Sequence, residues 1–246
     1  MRGDDSAFRE GRGCYTTARI CGGRPRFAKR HAQRLGRDAA ALGLGEVDER
    51  AATRALEALG AAAFANRDGV VRLQASRDGD GRLHLVGVPR EIGDEPAAWA
   101  AIVADFPHAG PGPYAGRKVT NHLLFALAAD AARDAGVQEA LLFDGEGRLV
   151  EGARSNLFVV SSSGRLSTPP LERGGVAGIA REVVLERVGE AESRDISRAE
   201  LRSARELVAV NAVRGARPVT RLDGEPVGTA QPGPWAARLA QALAED

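Results

Sequence analysis

Apolar residues recur along this chain at two spacings, every second position and every third to fourth, and the switches between them outline its elements. Residues 13–21 alternate as a strand and close on Gly22-Gly23, which predicts a hairpin turn with a second strand at 25–27. Between 29 and 44, Ala32, Leu35, Ala39, Ala40 and Leu42 fall at helical spacing, with Gly43 and Gly45 as a stop. A second helix is expected at about 47–64, with Ala51, Ala55, Leu56 and Leu59 on one side. Residues 70–76 and 82–88 read as two strands of a long hairpin about a turn at 78–81, and 99–106 as one more strand. The Pro/Gly-rich passage 107–116 suits an interdomain linker, which predicts a first domain at 1–109, a linker at 110–116 and a second domain at 117–246. In that second domain Lys118 is expected to open a helix through Asn121, Leu124, Leu127, Ala128 and Ala131 that stops at Gly136. Strands follow at 139–143, 148–150, 157–160 and 166–168, then a helix from Gly178 with Ile179, Val183, Val184 and Val188 as its buried stripe. A helix near 198–203, strands at 206–211 and 218–222 and a last helix at 234–244 complete the pattern.

Composition narrows the class of ligand. A net charge of +1 over 246 residues argues against a nucleic-acid backbone or an anionic membrane as partner, so a small molecule is expected. No segment approaches the length of a membrane span, and the polar start lacks the apolar core of a secretory signal, which predicts a cytoplasmic location. Cys14 and Cys21 are too few for a disulfide framework and have no metal-ligand spacing, so both are expected to be reduced and buried.

Candidate chemistry centres on residues 150–160, where a polar turn carrying Glu151, Arg154, Ser155 and Asn156 leads into an apolar strand. Polar groups placed this way sit on a rigid support. Only two lysines, Lys29 and Lys118, stand among 34 basic residues. A lysine spared in so arginine-rich a chain points to amine chemistry, which guanidinium cannot perform, and argues against a purely binding module. The glycines of 174–178 precede a helix, so free N–H groups at Gly178 to Ala180 suit a phosphate as well as they suit a plain glycine-rich turn. Arg34 is a further anion contact or a solvated charge; Arg82 and His84, two apart on a strand, form a carboxylate grip or an exposed polar face. No metal cluster and no Gly-x-Ser-x-Gly elbow is present, which removes metal-assisted and serine hydrolysis.

Taken together, Gly13-Cys14-Tyr15-Thr16-Thr17-Ala18-Arg19, His31-x-x-Arg34-Leu35, Lys118 with Asn121, Glu151-Gly152-x-x-Ser155-Asn156-Leu157-Phe158, Gly175-Val176-x-Gly178-Ile179 and Asn211-Ala212 resemble the class IV pyridoxal-phosphate enzymes. That group holds branched-chain and D-amino acid aminotransferases and aminodeoxychorismate lyase. The resemblance implies an α+β, two-domain fold, a small α/β domain plus a larger one with a β-barrel-like sheet and helices. It implies pyridoxal 5′-phosphate carried on Lys118, with Glu151 facing the pyridine nitrogen, Arg34, Ile179 and Ala180 on the phosphate, and Val176 beneath the ring. Ser155, Asn156, Gly178, Asn211 and Ala212 complete the implied cofactor site. Family members commonly have threonine at Ala180, so one phosphate contact is expected to be missing. Tyr15, Thr16, Arg82, His84 and Arg154 are the implied substrate contacts, and a homodimer acting on a carboxylate-bearing amine is the implied assembly. The strings at 13–19 and 175–181 resemble the lyase, since transaminases usually carry glutamate at Thr16, whereas Arg82-x-His84 with Tyr15 is similar to the carboxylate trap of D-amino acid aminotransferases.

Overall fold

The structure, a computed structural model, describes residues 3–244 and divides them between two compact units. The first runs to Asp94 and takes back the later segment Arg117–His122; the second holds Glu95–Gly116 and the chain from Leu123 onward. This corrects the expected contiguous split at 110–116. The strand Trp99–Val103 pairs with strands of the second unit, so the boundary falls before it. The outer ends of the expected domains, at 1–2 and 245–246, lie outside the described residues.

In the first unit α1 (Ser6–Glu10) is capped by Asp5, whose side chain accepts the Ala7 N–H. The strands β1 (Cys14–Cys21), β2 (Arg24–Pro25), β3 (Gly69–Arg77) and β4 (Leu83–Arg90) form an antiparallel sheet in the order β2-β1-β3-β4. The inward residues of β1, among them Cys14, Ala18 and Ile20, join one core with Leu35 of α2 (Ala28–Ala41) and Leu56 and Phe64 of α3 (Glu49–Phe64). Each such large apolar side chain contributes about 1.5–3 kcal/mol by leaving water. β2 ends before the expected Phe27, because Phe27 adopts a left-handed φ of 53° and heads α2. The buried stripe of α3 is Ala52, Leu56, Gly60 and Phe64, turned one position from Ala51 and Ala55, and Gly60 sits where a Cβ would come within 2.8 Å of the Gly23 carbonyl oxygen. Cys14 is buried as expected; Cys21, at the strand end, is exposed.

Lys118 does not open a helix. Its segment is extended against the start of β1: Tyr15 N–H donates to the Lys118 carbonyl at 2.9 Å, and Thr120 N–H to that of Gly13 at 2.8 Å. Helix α4 (Leu123–Asp134) starts five residues later than Lys118, after this pairing ends, and its Leu127 is exposed while Ala128 and Ala132 are buried.

The second unit is built on β5 (Trp99–Val103), β6 (Glu139–Phe143), β7 (Leu149–Gly152), β8 (Asn156–Val160), β9 (Leu166–Thr168), β10 (Glu192–Ser193), β11 (Glu206–Asn211), β12 (Gly215–Leu222) and β13 (Glu225–Pro226). The sheet order is β10-β9-β8-β11-β12-β5-β6-β7, with β13 on β12. Along β6, Leu141 and Phe143 enter one apolar cluster with Leu149, Leu157 and Leu207, while Ala140 and Leu142 enter another with Ala128 and Ala132 of α4. Alternation puts successive side chains on opposite faces, so the sheet is buried on both. Helices α5 (Ile179–Val188), α6 (Arg198–Arg202) and α7 (Pro234–Ala242) complete the unit, and the α+β class matches the expectation.

Candidate active site

On α2 of the first unit, His31, Arg34 and Asp38 recur at helical spacing on one buried face. Arg34 Nη2 donates to Thr16 Oγ1 at 2.7 Å, and that oxygen lies 2.5 Å from His31 Nδ1. Burial, then the charges of Arg34 and Lys118, hold His31 well below the usual imidazole range. A neutral His31 therefore accepts the Thr16 hydroxyl proton at Nδ1 and carries its own on Nε2, which has no hydrogen-bond partner among the described residues. Asp38 accepts the backbone N–H of Lys118 at 3.1 Å and lies 3.6 Å from Arg117. Burial raises the Asp38 carboxyl, against the lowering effect of that N–H and of the nearby arginines. Lys118 Nζ is 4.8 Å from the centre of the Tyr15 ring, Arg72 stacks on the same ring at 3.6 Å, and His122 lies against it at 5.6 Å between ring centres.

In the second unit, the last turn of chain before β8 brings Glu151 and Asn156 together. Both Glu151 oxygens are within 3.1 Å of the Val176 N–H, Asn156 Nδ2 is at 3.5 Å, and His108 Nε2 is at 3.6 Å. Asn156 Nδ2 also donates to the Val176 carbonyl at 2.9 Å. His108 is fixed in turn, since its Nδ1 accepts the Gly110 N–H at 3.0 Å. Helix α5 begins at Gly178 with no side-chain cap, and its first residues, Ile179 and Ala180, are buried. Gly178 is required there, because a Cβ would lie 2.0 Å from Asn156 Oδ1. Behind the turn, Glu139 is fully buried on β6 and accepts from Ser155 Oγ at 2.6 Å and from Ala140 N–H at 3.0 Å. Burial pushes its carboxyl up to about 7, with those bonds and the Arg154 charge opposing.

A model of the amino-transferase class IV family matches residues 13–222. The chain belongs to that family. Its segment of 149 residues is 34% identical to the branched-chain-amino-acid aminotransferase of Salmonella typhimurium, covering 58% of this chain and 48% of that protein. The chain thus spans about half the length of the first curated relatives it matches. The D-alanine aminotransferase of Bacillus licheniformis is 25% identical over 98% of this chain and 89% of its own. Among solved structures, 4-amino-4-deoxychorismate lyase from Pseudomonas aeruginosa is similar at a TM-score of 0.86 and 30% identity, covering 99% of this chain and 94% of that one.

Class IV enzymes use pyridoxal 5′-phosphate, and the residues here fit it. A buried carboxylate held by N–H groups suits a protonated ring nitrogen, and a helix start without a side-chain cap suits a phosphate. Among the residues expected from sequence, Lys118, Tyr15, Thr16 and Arg34 are gathered within the first unit, and Glu151, Asn156, Val176, Gly178, Ile179 and Ala180 within the second. Asn211 caps the β11 to β12 turn by accepting the Val213 and Arg214 N–H groups, with Ala212 inside that turn. Five expected contacts are otherwise engaged. Thr16 is wholly buried between Arg34 and His31, so it positions rather than touches. Arg82 is exposed and pairs with Asp80, and His84 binds Asp5 at 2.8 Å and Ser76 at 3.2 Å. Arg154 donates to the Gln138 carbonyl and pairs with Glu95 at 3.4 Å. Ser155, expected at the cofactor, gives its hydroxyl to Glu139.

Sequence reasoning passed over Asp38, Arg72, His108 and Glu139. Asp38 continues the His31, Arg34 spacing, Arg72 interrupts the apolar run of β3, and Glu139 opens an apolar strand, so each carried a readable signal. His108 sat in a passage read as linker and carried none.

Proposed function

We propose that this protein is a pyridoxal-phosphate-dependent lyase that splits 4-amino-4-deoxychorismate into 4-aminobenzoate and pyruvate, a step of folate synthesis, with Lys118 as the residue that carries the cofactor. The observation behind this reading is the company of the Tyr15 ring, which has the Lys118 amine on it together with the guanidinium of Arg72, whose side chain has Gln74, at 3.1 Å, as its hydrogen-bond partner among the described residues. Half-buried and without an acid, Arg72 favours a substrate that brings its own carboxylate. An amine-bearing carboxylate is such a substrate. The whole-length likeness to the Pseudomonas lyase and the 13–19 string, with threonine at position 16, favour lysis.

Pyridoxal 5′-phosphate, when bound, supplies an electron sink for carbanion chemistry. Glu151 would face its ring nitrogen and keep a proton there, with Val176 N–H and Asn156 orienting the carboxylate. Arg34 and the N–H groups of Ile179 and Ala180 would hold the phosphate, while Val176 would pack beneath the ring. The Lys118 amine takes the proton from the carbon bearing the substrate nitrogen and hands it to the departing enolpyruvyl carbon. Tyr15 and Arg72 bind carboxylate beside it. In this reading the working form is a homodimer in the cytoplasm.

A class IV aminotransferase acting on D-amino or branched-chain acids is the second reading, favoured by the 34% identity to branched-chain enzymes over half the chain. Two parallel assays separate the readings: aminodeoxychorismate alone, and D-alanine or leucine with 2-oxoglutarate. Formation of 4-aminobenzoate without any keto acid is expected. Turnover of the amino acids that depends on 2-oxoglutarate, with no aminobenzoate formed, overturns the lyase in favour of the transaminase.

A further inference from the structure

We propose that Glu139 is a positioning residue of this site: from the start of β6 it pins the 152–155 turn through the Ser155 hydroxyl and so fixes Glu151 and Asn156, which flank that turn. The inference rests on the cofactor reading above, because it assigns the pin its purpose. Ser155 Oγ donates to one Glu139 oxygen at 2.6 Å and the Ala140 N–H to the other at 3.0 Å, with the carboxylate wholly inside the unit. The turn is shaped to admit it. A Cβ on Gly152 would lie 2.7 Å from Ser155 Oγ and 2.8 Å from the Glu139 carboxyl carbon, so only glycine leaves room for the bond.

The turn is also closed on itself and tied to β6, as Gly152 N–H donates to the Ser155 carbonyl at 2.7 Å and Ala153 N–H to that of Ala140 at 2.9 Å. Its two ends are the cofactor-facing residues. Glu151 sits opposite Leu142 in the β6–β7 ladder, and Asn156 opposite Val210 in the β8–β11 ladder. A buried carboxylate costs desolvation that an apolar side chain at the same place avoids. What it supplies instead is direction: a hydrogen bond sets where Ser155 lies, as apolar packing does not, and thereby the angle at which Glu151 and Asn156 leave the turn.

The test compares the wild type with Glu139→Gln, Glu139→Ala and Ser155→Ala by titration of pyridoxal 5′-phosphate, with circular dichroism to establish that each variant is folded at the titration temperature. Affinity is expected to fall by roughly tenfold or more in the two alanine variants, the range for groups that orient a binding side chain from behind. The glutamine, which still accepts from Ala140 and donates to Ser155, should restore affinity to within about threefold of wild type. Unchanged affinity in the folded alanine variants overturns the proposal, as does a glutamine variant no better than alanine. Should Glu139→Ala fail to fold, Ser155→Ala carries the comparison, since it removes a single oxygen. Amide exchange over 152–156 in the cofactor-free protein reads the pin directly: faster exchange in Ser155→Ala supports it, and equal exchange overturns it. A wild type that takes up no cofactor defeats the cofactor reading instead, and the exchange result then decides whether the pin exists.

Discussion

In the first unit a buried polar cluster mixes charges, with Arg34 acting on a neutral His31 and Arg117 lying beside Asp38, whereas in the second unit Glu139 and Glu151 are held mainly by N–H and O–H donors and make no ion pair with lysine or arginine among the described residues. The difference has a chemical meaning. Burial raises the Asp38 carboxyl there too, but a guanidinium keeps its charge in any protein environment, so Arg34 remains a cation able to take an anion. Carboxylates held by dipoles are compensated only in part, which is why burial wins at Glu139 and pushes it up to about 7. One unit thus offers cations and an amine; the other offers a carboxylate and a helix start.

Breaking the second arrangement at Glu151 has the largest expected effect. Under the proposed function Glu151→Gln removes the anion assigned to hold a proton on the ring nitrogen, and kcat/KM should fall by roughly 10²–10³-fold, the cost of unpairing a buried charge. Steady-state kinetics with saturating cofactor measure it. A loss below about threefold would mean that the nitrogen needs no anion in this reaction.

Glu139 sharpens the same contrast through stability. Its carboxyl is raised in the folded protein, from 4.5 to about 7, so the native state binds more protons than the unfolded state between those values. Stability from this group is therefore present at low pH and is lost as pH rises through that window, by something on the order of 3 kcal/mol. Glu139→Gln cannot ionise and removes the loss. Urea unfolding should find the variant close to wild type at pH 5 and more stable at pH 8; parallel profiles across that range would show that Glu139 does not titrate there.

How far the sequence revealed this arrangement depends on what each residue needed from its neighbours. Strand and helix periods placed most elements, and the spacing of Lys118, Glu151 and Gly178 within motifs pointed to them before any fold was known. The extended path at Lys118 was not legible, because it arises from pairing with Gly13 and Tyr15, about a hundred residues away, which overrides local helix propensity. The same non-local pairing explains the boundary, since β5 belongs with β12 and β6 rather than with the strands before it. Arg82 falls just before β4 while His84 lies on it, and sequence could not reveal that Asp80 and Asp5 would satisfy them.

A smaller effect is expected at the helix start. Ala180→Thr adds the hydroxyl that family members commonly carry there, and one more hydrogen bond to an anion should raise cofactor affinity by about three- to tenfold. Equilibrium titration reads it, and an unchanged or weaker affinity would place the phosphate away from α5.

The central claim is that Lys118 carries the cofactor. Borohydride reduction of the protein with pyridoxal 5′-phosphate, followed by peptide mapping, tests it most directly, because Lys29 is the only other lysine in the chain. The account predicts loss of the cofactor absorbance and its reduced mass on the peptide containing Lys118, with none on Lys29. Label confined to Lys29, or no label at all, would contradict it.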